Sequence, residues 1–174
     1  YAQKHPENLL SLFLSCPRSG TGVEWKQTEK EVMQLNRQKT TLWQWTKMGW
    51  NNLLGILGSD KAYTRLFTQV MKNYNDGFAD TSNVKPEFEY LKAEPINNTR
   101  PQIIKYPLLT RMELPDFPIT IVYGDGDIYR ESKNFVLNRY PTANVIILKN
   151  CGHIPWLHNA TDYNTLLQNH YHLQ

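Results

Sequence analysis

The sequence predicts an α/β protein in which buried strands combine with amphipathic helices. The strongest observation is the segment 117–156, which has the pattern of a strand, an acidic loop, a helix, a second strand and a histidine-bearing loop. Another strand-like run lies at residues 8–15, and residues 24–74 between these runs have the apolar spacing of helices. The chain is therefore expected to have strands at both ends and a helical region between them.

The composition fits a folded domain and argues against several classes of protein. A length of 174 residues suits one domain, and an apolar fraction of 40% with 20% charged residues makes a core feasible. The net charge of +3 comes from scattered Lys and Arg, so we expect no nucleic-acid partner. The sequence has no run of about 18 apolar residues, so we expect no membrane partner either.

Two cysteines, Cys16 and Cys151, each follow a strand-like run. Two cysteines do not make a disulfide framework. We therefore expect small, partly buried, reduced side chains and a cytoplasmic location. No group of His, Cys, Asp and Glu has the spacing of a zinc site, so the expectation is no metal and no cofactor.

The first element is a strand. Residues 1–7 have the character of the end of a helix, and the apolar run at residues 8–15 (NLLSLFLS) is stopped by Pro17.

Three helices are predicted next. Residues 24–37 are charged and helix-prone, residues 41–57 are strongly apolar and end at Gly58, and residues 61–74 have apolar side chains at spacings of three and four. Residues 80–107 are rich in Asn, Pro and Thr without a clear period, which predicts a loop with short helical turns.

The last part of the chain returns to strands. Residues 119–123 and 145–148 are short β-branched runs typical of buried strands. Residues 161–171 carry an apolar stripe and have Asp162 in the first turn, where a carboxylate suits the helix dipole. We therefore expect two further strands and a final helix.

Asp127 and His153 are the candidate catalytic residues. Each comes just after a predicted strand, and they are 153 − 127 = 26 residues apart. An imidazole titrates near neutral pH and can act as a general base, and a carboxylate can hold it in the right tautomer. Asp125 is interpreted as a residue that stabilises the turn. The remaining C-terminal histidines are expected on the surface or on helix faces: His158, His170 and His172.

The chain resembles the C-terminal half of an α/β-hydrolase superfamily protein, proline-iminopeptidase-like or related. The resemblance is carried by the strand–acid–helix–strand–histidine order, by the phrase Gly152–His153–Ile154–Pro155–Trp156, and by the opening phrase YAQKHPE before a strand. It implies a partial α/β-hydrolase fold with the last three strands parallel and side by side. It also implies core segments at residues 1–19 and 116–174, with an inserted helical cap at residues 20–115.

The resemblance further implies a hydrolase that cleaves acyl ester, amide or peptide bonds with a Ser–Asp–His triad. The family's nucleophile motif G-x-S-x-G does not occur in these residues. The half that carries the nucleophile is therefore expected upstream, and the chain alone is expected to be inactive. Whether the nucleophile is Ser, Asp or Cys stays open. The alternative is a non-catalytic α/β-hydrolase-like domain that binds a ligand or a protein.

Four tryptophans are candidate substrate-binding residues. Large aromatic side chains commonly line apolar pockets, which suggests a small-molecule or short-peptide substrate with an apolar or aromatic part. For Trp43, Trp45 and Trp50, which lie in the predicted cap, the other interpretation is packing inside the cap. Trp25 fits either role. The four candidates are Trp43, Trp45, Trp50 and Trp156.

The strand at residues 8–15 also suggests a partner. In the family this strand has a neighbour on each side, and a bare strand edge pairs readily with another chain. We therefore expect either the N-terminal half of the hydrolase or a second copy of this chain along that edge.

Overall fold

The structure of the protein is a computed structural model, which describes residues 1–79 and 90–171. In chain order the described residues form β1 (Leu12–Ser15), α1 (Glu24–Gln38), α2 (Leu42–Ile56), α3 (Asp60–Asn75), α4 (Ala93–Lys105), β2 (Ile119–Gly124), α5 (Lys133–Arg139), β3 (Asn144–Leu148), α6 (Pro155–His158) and α7 (Ala160–Tyr171). A short 3₁₀ helix, Pro6–Asn8, precedes β1. None of these helices has both the length and the apolar character that a membrane span requires.

The strands form a three-stranded parallel sheet in the order β1–β2–β3. Leu12 lies opposite Ile119 in the first pair, and Thr120 lies opposite Asn144 in the second. The predicted α/β class and the three neighbouring parallel strands are confirmed. β1 pairs with β2 on one side, and no strand of the described residues lies along its other edge.

The central strand β2 is buried along its whole length. Side chains alternate between the two faces of a strand, so Ile121 and Tyr123 pack into one apolar cluster and Val122 packs into another. A sheet covered on both faces is typical of parallel strands. The first cluster also contains Tyr129, Val136 and Tyr140, and the second contains Leu148, Cys151 and Tyr163.

The first strand is shorter than residues 8–15. Its ladder begins where the Leu12 N–H donates to the Pro118 carbonyl at 2.9 Å, because the partner strand β2 itself begins at Ile119. Residues 1–7 do not form the end of a long helix. Residues 1–5 make a turn, in which the N–H groups of Lys4 and His5 donate to the Tyr1 carbonyl, and the 3₁₀ helix follows directly.

The helix α4 corrects the loop predicted over residues 80–107, of which residues 80–89 lie outside the described part of the chain. Asn and Pro disfavour a helix in isolation, but contacts from α2 and α3 stabilise this one. The Asp60 carboxylate accepts the Ala93 N–H at 2.8 Å. The Asn97 side chain accepts the Tyr63 hydroxyl at 2.7 Å and donates to the Gly55 carbonyl at 3.0 Å.

The buried carboxylate of Glu31 joins α1 to the loop that precedes α5. It accepts the backbone N–H groups of Arg130, Glu131 and Ser132 at 3.0–3.1 Å. It also accepts the Ser132 hydroxyl and, at 2.8 Å, the Gln27 side-chain amide. Burial raises the pKa of Glu31, but these hydrogen bonds outweigh burial, so its pKa lies below the usual value.

Replacing Glu31 with Gln is expected to lower the free energy of unfolding by roughly 2–3 kcal/mol, because the donors lose a charged acceptor and one of them faces an amide N–H. The effect is expected at neutral pH and should fade as the pH falls. A carboxylate whose pKa is depressed on folding stabilises the protein above its unfolded pKa of about 4.3 and loses this contribution in acid. Urea denaturation at several pH values measures it.

The matched control is Glu131→Gln, which changes an exposed side chain in the same loop. Its free energy of unfolding should stay within about 0.5 kcal/mol of the parent protein. Equal stability of the two variants at neutral pH would contradict the role given to Glu31.

Candidate active site

Two loops at the carboxyl edge of the sheet are joined by backbone hydrogen bonds. The Asp125 N–H donates to the Leu148 carbonyl, and the Gly126 N–H donates to the Cys151 carbonyl, both at 2.9 Å. The Asp125 carboxylate accepts the N–H groups of Asn150 at 3.2 Å and Cys151 at 3.1 Å. Asp125 therefore holds the loop after β2 against the loop after β3.

Gly124, the last residue of β2, allows this close approach. A Cβ atom on Gly124 would lie 2.1 Å from the Cys151 carbonyl oxygen and 2.4 Å from that of Gly152. Both contacts are with backbone atoms of the neighbouring loop. The two loops can therefore meet at this distance only where β2 ends in a residue without a side chain.

Asp127 and His153 meet across these loops. His153 Nδ1 lies 3.1 Å from Asp127 Oδ1, and the same oxygen accepts the Tyr129 N–H at 3.0 Å. The Asp127 side chain is 3% exposed and the His153 side chain is 20% exposed. Burial raises the pKa of Asp127, but hydrogen bonding and the charge of His153 outweigh it and hold that pKa below its usual value. The carboxylate is thus ionised at neutral pH.

The second ring nitrogen of His153, Nε2, is available to accept or donate a proton. Nδ1 faces the carboxylate, and Nε2 makes no hydrogen bond with the described residues. The rings of Tyr74 and Tyr129 contact the imidazole edge-on, with centroid distances of 5.4 Å and 4.9 Å. These contacts fix the plane of the ring, so that Nδ1 points at Asp127 and Nε2 points away from it.

Cys16 lies beside the pair. It directly follows β1 and has a positive φ of 44°, which turns the chain sharply at the end of the strand. The ligand atoms of Cys16, Asp127 and His153 lie within 4.8 Å of one another, a spacing that a metal ion can bridge. Burial, followed by the negative charge of Asp127, raises the pKa of the Cys16 thiol far above its usual range. Both Cys16 and Cys151 are buried and free of disulfides.

His158 has a position that the sequence did not indicate. Its Nδ1 accepts the Gly152 N–H at 3.0 Å, and its Nε2 lies 2.8 Å from the Asn75 side-chain oxygen. The ring also stacks on Phe78 at a centroid distance of 4.9 Å. His158 thus connects the histidine loop to the end of α3. Of the other histidines expected on surfaces, His170 lies on α7 with Nδ1 2.9 Å from the Thr120 hydroxyl, and His172 lies outside the described residues.

A cavity of about 780 Å³ opens next to this site, between residues 18–21, which follow β1, and the helices α1–α4. Tyr74 lines the cavity and also contacts His153, so the Tyr74 ring lies between the cavity and the candidate catalytic histidine. Most of the lining is apolar or aromatic, and it includes Trp25, Trp45, Met48, Phe67 and Ile103.

The tryptophans predicted to bind substrate are not all at this cavity. Trp45 lines it, as does Trp25. Trp43 and Trp50, both on α2, are 67% and 61% exposed and are not among the lining residues. Trp156 is 58% exposed and lies near the Tyr163 ring. The structure therefore brings one of the four to the cavity and leaves three on the surface.

The comparisons with known proteins identify the fold. No protein-family model and no curated protein sequence matches the chain. The crystal structure of VinJ matches with a TM-score of 0.57 and 12% identity, over 99% of this chain and 61% of VinJ. The proline iminopeptidase of Mycobacterium smegmatis matches with a TM-score of 0.56 and 11% identity, over 98% of this chain and 59% of that protein.

Both of these structures are α/β-hydrolases, and the chain spans about 60% of the length of each. The agreement covers nearly all of the chain, including the parallel sheet and the helices between β1 and β2. The chain therefore has part of an α/β-hydrolase fold, as its resemblance to that superfamily predicted.

Proposed function

We propose that this chain supplies the orienting acid, the general base and the cap of an α/β-hydrolase that cleaves ester, amide or peptide bonds. Asp127 is the acid and His153 is the base. The nucleophile and the oxyanion-hole donors belong to residues outside these 174, and Ser is the nucleophile favoured here. The observation that carries the proposal is the 3.1 Å contact between Asp127 Oδ1 and His153 Nδ1 at the carboxyl edge of the sheet.

In this mechanism His153 Nε2 takes the proton of the nucleophile as the nucleophile attacks the carbonyl carbon. The imidazolium that forms is stabilised by the ionised carboxylate of Asp127, which also keeps the Nδ1 proton in place. Nε2 then gives the proton to the leaving group when the tetrahedral intermediate collapses, which leaves the acyl group on the nucleophile. Water, deprotonated by the same Nε2, then releases the acyl group and restores the nucleophile. Nε2 makes no hydrogen bond with the described residues, which supports its role as the nitrogen that takes and gives this proton.

The helices α1–α4 act as the cap in this proposal, and the cavity beneath them receives the substrate. A cavity of about 780 Å³ with a mostly apolar lining suits a small molecule or a short peptide. The free edge of β1 is the place where we propose that the preceding part of the hydrolase adds its strand, because an unpaired edge presents a row of backbone donors and acceptors.

The test is turnover by the whole gene product that contains these residues. We expect saturable hydrolysis of activated esters or aminoacyl anilides, and loss of this activity in His153→Ala. The 174-residue chain by itself should give no turnover, since the loss of even one oxyanion donor typically costs about 10²–10³ in rate.

Two results would count against the proposal. The first is full activity of His153→Ala in the whole protein. The second is an inactive whole protein that still binds ligands in the cavity, which would establish the alternative of a binding domain. An Asp nucleophile would instead show itself as turnover of epoxides or alkyl halides but not of esters.

A further inference from the structure

The charges around the cavity are unequal. Three arginines line it, and Glu29 is the only acidic residue among the described lining residues. Arg100 pairs with Glu29 at 2.9 Å. Arg139 pairs with Glu24 at 2.8 Å and donates to the Ser19 hydroxyl at 3.3 Å.

Arg18 is different from the other two arginines. Within residues 1–79 and 90–171 its guanidinium has no carboxylate partner and donates no hydrogen bond to another residue. It lies over the ring of Trp25, 4.4 Å from the centroid, and Arg100 lies 5.2 Å from the same ring. A guanidinium stacked on a ring keeps its N–H groups free at the edge of its plane. Arg18 is exposed, so it lies at the solvent-facing side of the cavity lining, with a positive charge that no described carboxylate pairs with.

The position of Arg18 connects the cavity with the candidate catalytic pair. It follows Cys16 by two residues, at the carboxyl end of β1, the same edge of the sheet that carries Asp127 and His153. Burial raises the pKa of Tyr74 to about 12, and the positive charge of Arg18 opposes this rise. Burial also raises the pKa of Tyr129, and the same positive charge of Arg18 opposes that rise. The charge of Arg18 therefore works against the raised pKa of both tyrosines whose rings contact His153.

We propose that the cavity takes an apolar molecule that carries a carboxylate, and that the Arg18 guanidinium binds this carboxylate. The apolar part lies against the aromatic lining, and the carboxylate pairs with the guanidinium, which has no carboxylate partner among the described residues. A planar guanidinium binds a carboxylate through two parallel N–H···O bonds, which also fixes its orientation. The role of such a molecule as substrate rests on the proposed function, and its binding does not.

The experiment compares three ligands of equal chain length, namely hexanoate, hexanamide and hexylamine, by calorimetric titration of the 174-residue chain. Hexanoate should bind at least about tenfold more tightly than hexanamide, the difference expected for a charge-assisted hydrogen bond. Hexylamine should bind more weakly than both. Equal binding of the acid and the amide, or no binding of hexanoate, would overturn the proposal without any variant.

Arg18→Gln should remove the preference for hexanoate, and Arg18→Lys should keep part of it because the charge remains. The matched control is Arg65→Gln, on an exposed part of α3 away from the cavity lining, which should keep the full preference. A preference that survives Arg18→Gln would show that Arg18 serves only to pack on Trp25.

Failure of this inference and failure of the proposed function give different results. Ligand preference is measured without turnover, so Asp127→Asn should keep it while impairing hydrolysis by the whole protein. A hydrolase that shows no preference for carboxylates would refute the role of Arg18 alone. A carboxylate-binding protein without hydrolytic activity would refute the proposed function alone.

Discussion

Asp127→Ala in the whole enzyme is expected to lower kcat by about 10⁴-fold, because removing the acid of a triad leaves the histidine without its orienting partner and without the charge that stabilises the imidazolium. KM should change little, since the Asp127 side chain is 3% exposed and is not among the lining residues of the cavity. Steady-state kinetics on an activated ester measures both constants. Asp116→Ala, an exposed aspartate ahead of β2, is the control and should keep the parent kcat.

Asp127→Asn should cost less than Asp127→Ala, for a reason specific to this site. Oδ1 makes both hydrogen bonds of the carboxylate, to His153 Nδ1 and to the Tyr129 N–H. Oδ2 is buried without a hydrogen-bond partner among the described residues. An asparagine can therefore place its carbonyl at Oδ1, which preserves the tautomer of His153. The substitution removes the charge and buries an amide NH2 group at Oδ2, next to the Cys16 thiol. An Asn variant as impaired as the Ala variant would contradict this geometry.

Gly124→Ala is expected to lower the free energy of unfolding by about 3 kcal/mol or more, at the upper end of the cost of overpacking. The new methyl group would lie 2.1 Å from the Cys151 carbonyl oxygen, and neither backbone can rotate away as a side chain can. The two loops must separate, so the contact between Asp127 and His153 should be lost as well. Urea denaturation gives the first effect. The signal of the His153 Nδ1 proton in NMR spectra reports the second.

Gly49→Ala is the matched control for this substitution. Gly49 lies within α2, and beyond its chain neighbours and the backbone of its own helix no heavy atom lies within 4 Å of the position of its added Cβ. Alanine is favoured over glycine in a helix by about 1 kcal/mol, so this variant should be slightly more stable than the parent. A Gly124→Ala protein with parent stability would show that the loops have more freedom than the structure gives them.

The fold was predictable where local pattern and tertiary environment agree. β2 and β3 begin and end within one residue of their predicted bounds, because short β-branched runs between turn residues leave little choice. The exception is α4, where Asn and Pro indicated a loop. Its stability comes from Asp60 and Asn97, which make contacts across 33 to 42 residues of sequence, and no local pattern reports such contacts.

The same distinction applies to the site. Asp127 and His153 were found because each lies in a loop after a strand and in a phrase that resembles the α/β-hydrolases, and parallel neighbouring strands bring their carboxyl ends together. The positions of Glu31 and His158 were missed, because their hydrogen-bond partners lie elsewhere in the chain. The tryptophans of α2 show a related limit: its apolar side chains occur all round the helix, so the sequence alone did not indicate that Trp45 faces the cavity while Trp43 and Trp50 face outward.

The hydrogen bonds of Glu31 have a consequence for exchanging parts of this chain with related proteins. The acid and the histidine are assembled within residues 119–158, whereas the cavity is built largely by the helices between β1 and β2. The two units would be interchangeable modules if the sheet were their only connection. Glu31 on α1 holds residues 130–132, directly after the acid. A chimera that imports cavity helices from a relative should therefore be joined after α1 and not at the end of β1. The host then keeps its own Glu31, and with it the hydrogen bonds to residues 130–132.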